Sequence, residues 1–223
     1  MASKNTFPHI DWKKYLFEML VIITGISISF MVQNWQESRQ AKRTVNQVLA
    51  HILEDLEKDS VSIFNEIKTF DKLTEGMKKV MRSKEYSEIS DSVELFVATG
   101  LLNYSTVIYE TIGYQSMLQF GVLKNMDNKQ LANDILHLYT NTYQTLNELY
   151  EIDKTLVLEQ FIPLFTQRFP YAKKFTELQV KNDVVMNSFA IGLSIKEQLI
   201  DAYKQSLEEV DVLSRSIKKE LYD

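Results

Sequence analysis

Between its only two tryptophans, Trp12 and Trp35, the chain is apolar over about the thickness of a membrane. The stretch opens with Lys13, Lys14, Tyr15, Leu16, Phe17 and Glu18, then carries no charge from Met19 to Val32. A helix rising about 1.5 Å per residue separates the two indoles by roughly 34 Å. That matches a hydrocarbon core of about 30 Å with an amphipathic ring at each interface. The spacing predicts a short tail over 1–14, a transmembrane helix over 15–35 anchored at its edges by Trp12 and Trp35, and a separate region over 36–223.

Two other readings compete. A buried helix of a water-soluble protein is also apolar, but cores seldom run from Met19 to Val32 without a charge. A cleaved signal peptide would use Lys13 and Lys14 as its basic region and Ser27 and Ser29 as small residues at the cleavage site. Against it, Phe30, Met31 and Val32 prolong the apolar run past that point, and Glu18 interrupts an already short hydrophobic region. An intact mass retaining Met1 or Ala2 excludes the signal peptide.

Past the span, Leu, Ile, Val, Phe and Tyr are plentiful enough to bury a core. Cysteine is absent, which excludes disulfides, thiol nucleophiles and cysteine-ligated metals. A net charge of −5 without a basic cluster argues against nucleic acid, because phosphate binding needs concentrated Lys and Arg. Lys4, Lys13 and Lys14 precede the span, and Arg39, Lys42 and Arg43 follow it, so the positive-inside rule gives a tie. A short basic N-terminus held in the cytoplasm is the commoner arrangement, and it would put the larger region on the outer, periplasmic side.

No proline occurs between Pro8 and Pro163, and no glycine between Gly25 and Gly76. The span is therefore expected to run into the next helix without a breaker. There a heptad emerges, with Leu49, Leu56, Ile63, Phe70 and Met77 on one position and Val45, Ile52, Leu73 and Val80 on the other. Asp59 and Glu66 interrupt the second seam, while Phe64 and Ile67 begin a neighbouring one. Such drift suits a helix inside a bundle better than a free-standing coiled coil.

Further helices follow by period. Ser83 to Ser92 reads as a polar break, and Asp91 with Glu94 as a capping box opening a helix toward Leu101. Thr106 to Phe120 reads as a helix closed by Gly121. Asp127 and Gln130 form a second capping box ahead of Leu131, Ile135, Leu138, Thr142, Leu146, Leu149 and Leu156. Pro163 and Pro170 bound a poorly periodic region, expected to be a loop with a short helix. The last helix presents Leu199, Tyr203, Leu207, Val210, Ile217 and Leu221 on one face. No alternation is long enough to require a sheet. The expected fold is all-α: one N-terminal transmembrane helix continuing into an antiparallel helical bundle.

Glu18 is the most pointed candidate residue, since an ionisable group in a membrane segment is a functional hypothesis by default. At spacings of four, three and four it shares a helix face with Ile22, Gly25 and Ser29. Gly25-x-x-x-Ser29 is a small-xxx-small pair that lets two helices approach closely. The four residues are read as a helix–helix interface, against the plainer reading in which Glu18 reaches to the nearby lipid surface and Gly25 is incidental. His51 with Asp55, and Asp134 with His137, place possible metal ligands on one face. The doubled Glu-x-x-His of di-iron bundles is missing, however, so no metal or cofactor is expected. Tyr104, Tyr109, Tyr114, Tyr139 and Tyr143 are read as core with hydroxyls at its rim. No phosphate-cradling glycine loop or nucleophile elbow occurs, and no catalytic residue is assigned.

Two stretches resemble a family. Glu18-x6-Gly25-x8-Asn34-Trp35-x-Glu37, running on into a basic helix, is similar to the anchor of a bacterial family of uncharacterised membrane-anchored proteins, each with one N-terminal transmembrane helix and a helical domain. Tyr109-Glu110-Thr-Ile, Phe120-Gly121, Leu123-Lys124-Asn125-Met126-Asp127, Leu131, Ile135 and Tyr139 resemble a second family stretch. There the family commonly has Ser where this chain has Phe120, and a tyrosine where it has Leu138. The likeness covers most of the chain up to about residue 150. The resemblance implies a protein of the bacterial inner (cytoplasmic) membrane, and lends no catalytic residues because the family carries no established activity.

The expected function is non-enzymatic: a single-pass scaffold, sensor or docking subunit of the bacterial envelope. Its partners would be the lipid bilayer and either a second copy of the chain, in a homo-oligomer, or another membrane protein. The alternative from another class is an accessory subunit of an ion-driven or transport complex using Glu18. A ligand receptor or enzyme in the bundle ranks third.

Overall fold

A computed structural model of the protein describes residues 12–82, 100–105, 107–168 and 183–222. Among them there is no strand. The expected polar break over Ser83 to Ser92 and the capping box of Asp91 and Glu94 lie outside the described residues.

The first helix, α1 (Trp12–Arg82), is continuous for 71 residues, about 105 Å at the usual rise. Nothing in its sequence stops it earlier, and Lys79 and Arg82 complement the dipole in its last turn. Its two halves live differently. Every residue over 12–40 is exposed, whereas Val45 is the first buried position and burial then follows the heptad. The helix is long and apolar enough to cross a membrane, and its apolar window is wholly uncovered by the rest of the chain.

Beyond Val45, α1 is the spine of the bundle. Leu49, Leu56, Ile63, Phe70 and Met77 are all buried, as are Val45, Ile52 and Leu73. Each such side chain contributes about 1.5–3 kcal/mol by leaving water. Ile67 is buried as the neighbouring seam requires, but Phe64 is 57% exposed and takes no part in the core. The helix drifts too little for both to face inward.

Among the described residues, five more α-helical segments precede the last helix. These are α2 (Ile112–Gln119), α3 (Val122–Asn125), α4 (Lys129–His137) and α5 (Tyr143–Thr155); α6 (Ile162–Arg168) then continues the run of α4 and α5. The run is unbroken because π turns at Leu138–Thr142 and Leu156–Phe161 join its pieces. The last helix, α7 (Asp183–Tyr222), lies antiparallel to α1. Exposed ion pairs record the register: Lys78 to Glu197 at 2.6 Å, Asp71 to Lys204 at 3.7 Å and Glu57 to Lys218 at 3.0 Å. They add little stability. The apolar seam holds the pair, with Leu199, Tyr203, Val210 and Ile217 of α7 in the same core as α1. A second cluster at the far end joins Met77, Leu101, Val157, Phe161 and Phe189.

The all-α bundle continuing from a long apolar helix is thus as expected, but three local elements differ. The helix expected over Thr106 to Phe120 is helical only from Ile112, and residues 107–111 are an irregular strap. The strap's backbone is held by side chains from other helices, and so needs no helix of its own. Gly121 does end α2, at φ 61°, where the absence of a side chain removes the penalty. The N-cap of α4 is Asn128, whose side chain accepts the Leu131 N–H at 3.1 Å, and not Asp127. Asp127 pairs instead with Lys42 at 3.5 Å. Finally, Pro163 lies within α6, which is helical to Arg168, while Pro170 and the rest of the expected loop lie outside the described residues. The π turn just before Pro163 falls where the proline removes the N–H that Glu159 would otherwise receive.

Candidate functional site

The strap that crosses the bundle explains most of its buried charge. Irregular backbone in a core must find partners for its N–H and C=O groups. Here Asp55 and Asp59, one turn apart on α1 and both buried, supply them. Asp59 Oδ1 accepts the Glu110 N–H at 2.9 Å, and Asp55 Oδ2 accepts the Gly113 N–H at 2.7 Å. The second contact also caps α2 from outside, since Gly113 lies in its first turn. Gly113 permits the approach: a Cβ there would lie 2.6 Å from the Ile52 backbone nitrogen.

Five tyrosines gather around the two acids. Tyr143 donates its phenol to Asp59 Oδ2 at 2.6 Å. Tyr109 stacks on Tyr143 with centroids 4.2 Å apart, and Tyr114 stacks on Tyr139 at 4.4 Å. Tyr139 meets Tyr143 edge-on at 5.2 Å. Tyr203 of α7 bonds to Ser105 at 2.6 Å. Tyr139 and Tyr143 therefore turn their hydroxyls inward and not to the rim expected of them. The Tyr139 hydroxyl is enclosed and finds no partner among the described residues.

Electrostatics follow from this crowding. Burial raises the Asp59 carboxyl to about 6, opposed by the Tyr143 and Glu110 hydrogen bonds and reinforced by the charge of Asp55. Burial likewise raises Tyr109, Tyr139 and Tyr143 above the ordinary phenol range, and holds Tyr203 at about 12.

Farther from the apolar half of α1, Lys196 of α7 is fully enclosed. Its ammonium reaches Asp153 Oδ1 at 3.0 Å, Oδ2 at 3.1 Å and the Asn103 carbonyl at 2.8 Å, above the Phe70 ring at 4.9 Å. Loss of water pushes Lys196 down and Asp153 up, and their mutual contact pulls each back toward the charged form. The pair fixes the start of the strap as Asp55 and Asp59 fix its end. Backbone and phenol donors engage both oxygens of Asp59 and one of Asp55, and an ammonium engages both of Asp153, which ties these acids to the fold.

Of two open cavities in the bundle, one borders this network. One of about 390 Å³ is lined by Tyr104, Val107, Ile108, Tyr109, Asn147, Tyr150 and Tyr203. The other, about 510 Å³, lies between α4 and α7 with Asp134, His137, Glu208 and Glu209 at its wall. His137 Nδ1 is 3.9 Å from Glu209, which also accepts the Thr142 hydroxyl at 2.6 Å. Among the described residues no three His, Asp or Glu side chains converge as a metal site would require. His51 is exposed while Asp55 faces inward, so that pair does not share an environment.

On the exposed half of α1, Ile22, Gly25 and Ser29 line one shallow groove with Ile26, Phe30 and Gln33. The Ser29 hydroxyl donates back to the Gly25 carbonyl at 2.9 Å, and nothing stands within 4 Å of a Cβ placed on Gly25. Glu18 is exposed one turn before Ile22, outside that groove. At the far edge of the apolar stretch, Arg39 packs 4.0 Å from the centre of the Trp35 ring.

Sequence reasoning flagged Asp59 and Glu66 as seam interruptions and singled out the tyrosines, but missed Lys196 and Asp153. A signal for both existed. Lys196 falls on the apolar stripe of Leu199 and Tyr203, and Asp153 on that of Leu146, Leu149 and Leu156. Comparison with protein-family models, curated protein sequences and solved structures finds no match to the chain.

Proposed function

We propose that the chain is a non-enzymatic, single-pass membrane protein whose bundle serves as a scaffold, sensor or docking subunit. The observation that carries this reading is one helix with two surroundings. Residues 12–40 are uncovered and, from Met19 to Val32, carry no charge, and the same helix over Val45 to Met77 is the spine of the core. A water-exposed face of that size is unfavourable unless lipid or protein covers it. A rigid helix shared by span and bundle also transmits displacement between them. The bacterial inner membrane and an outward-facing bundle come from the family resemblance and the short basic N-terminus.

Alkaline carbonate extraction of membranes carrying the full chain tests the anchor, with retention in the pellet expected and release overturning it. Inserting Gly-Gly after Arg43 tests the rigid coupling through intact-complex mass spectrometry. Loss of a co-purifying partner supports transmission through the helix, and an unchanged complex counts against it.

One observation favours a second reading, a ligand receptor. The cavity of about 390 Å³ is walled by Tyr109 and Tyr203, and Tyr109 connects through Tyr143 to Asp59 on α1. An occupant would press on the network that holds the spine. A thermal-shift screen with small aromatic metabolites would detect it, and Tyr150→Ala should remove any shift found.

A further inference from the structure

The order of contacts along α1 shows which end of the bundle faces the span. Glu110 meets Asp59, Gly113 meets Asp55, and Asp127 meets Lys42. As the chain runs from 110 to 127 it therefore descends α1 toward the apolar half. The turn holding α3 is the lowest described part of the bundle, level with a point seven residues past Trp35, which is about 10 Å along the helix.

That end differs in charge from the rest of the chain. Residues 36–49 and 118–130 hold five cations, Arg39, Lys42, Arg43, Lys124 and Lys129, against two acids, Glu37 and Asp127, a net +3. The remainder has 20 cations against 28 acids, a net −8. All five cations are exposed, as is Phe120 at 61%, in the turn between α2 and α3. Lys129 reaches the Leu123 and Lys124 carbonyls at 3.3 Å, and Lys42 pairs with Asp127 through exposed side chains, so both remain open to solvent.

The geometry points to a docking face for anionic lipid headgroups, built from Arg39, Lys42, Arg43, Lys124, Lys129 and Phe120. It rests on the reading of α1 as a membrane anchor. A helix crossing the bilayer with Trp35 at the interface holds these cations within about one screening length, 8–10 Å, of the headgroups. Negatively charged lipid attracts juxtamembrane Lys and Arg clusters, and an aromatic at that level prefers the interface to water. The acidic remainder of the bundle is repelled by the same surface. The two effects together orient the bundle with the α3 turn down. In a neutral membrane the attraction is lost and the bundle is held by α1 alone.

The chain has no cysteine, so single labels can be placed without background. Gln119→Cys carries a fluorophore beside Phe120, and Ile26→Cys carries one in the span. Each full-length protein is put in nanodiscs of phosphatidylcholine, or of phosphatidylcholine with phosphatidylglycerol, containing a headgroup-borne nitroxide quencher. The expected result is quenching at position 119 at least about threefold stronger in the anionic discs, collapsing near 0.5 M salt as the screening length shrinks. A triple variant, R39E/K124E/K129E, should lose the difference. Equal quenching at 119 in both lipids overturns the docking face, as does a difference that survives the triple variant. In separate discs carrying an acyl-chain nitroxide, position 26 near the middle of the span should be strongly quenched in either lipid, and no quenching there overturns the anchor itself, and the docking face with it.

Discussion

The Tyr143 phenol donates to Asp59 at 2.6 Å inside the bundle, across 84 residues of sequence. This bond and the Glu110 N–H hold a carboxyl whose folded value is about 6, raised chiefly by burial from an ordinary 3.8. The fold thus binds a proton at Asp59 more tightly than the unfolded chain does. Its contribution is fully present below the unfolded value and is lost as pH rises through about 6. Melting temperatures of the full chain between pH 4 and 8 should include a fall centred near this point. Asp59→Asn keeps an acceptor for the Glu110 N–H and carries no charge, so its profile should be flatter over the same window. Parallel profiles for the two proteins would sink the assignment.

Lys196 and Asp153 form the other enclosed contact, at 3.0 Å. Removing one partner strands a charge where water does not reach, which costs about 3–5 kcal/mol in comparable sites. Lys196→Met and Asp153→Leu should therefore each destabilise strongly when measured by denaturant unfolding. The double substitution should recover most of the loss, because no stranded charge remains. It would still leave the Asn103 carbonyl without its partner, so full recovery is not expected.

Two glycines make a contrast that separates crowding from backbone strain. Gly113→Ala drives a methyl into the Ile52 backbone, which cannot move without shifting α1. A cost at or above about 3 kcal/mol is expected, with loss of the Asp55 cap on α2. Gly121→Ala has open space around it and pays only for its φ of 61°, about 1–2 kcal/mol. Gly121→Asn should lie nearer wild type, since Asn tolerates that conformation. Chemical denaturation of the three variants would rank them, and an equal cost for Gly113→Ala and Gly121→Ala would contradict the packing described.

The spine was legible in the sequence because a single period runs from Val45 to Met77 with no breaker, and every apolar heptad position described there is buried. Asp59 was visible as a fault in that period. Its purpose was not, because the strap residue it holds, Glu110, lies 51 residues later in a stretch that reads locally as apolar helix. Val107, Ile108 and Tyr109 carry no sign that Asp59, Asp153, Lys196 and Tyr203 hold the strap open. Tertiary partners overrode the local period. Lys196 escaped for the opposite reason: a lone cation on an apolar stripe looks like a solvated edge until a carboxylate from another helix is found beside it. The choice of Asn128 over Asp127 as cap is a one-residue matter: Asn128 directly precedes the first helical residue, Lys129, and its side chain reaches the Leu131 N–H.

On the uncovered half of α1, the groove of Ile22, Gly25 and Ser29 makes a prediction about assembly. A side chain at position 25 would meet nothing in the chain itself, so the gap is free for a second helix. Close approach over small residues is what drives such pairing in lipid, where apolar burial alone supplies no force. Gly25→Cys in native membranes should crosslink under mild oxidation to a dimer or to a partner helix. Ile23→Cys, two residues round the helix and facing away, should not. Gly25→Ile should fill the groove and shift the intact-complex mass toward the lone chain. Equal crosslinking from positions 23 and 25, or none from either, would remove this face as an interface and leave Glu18 as a residue that reaches for the lipid surface.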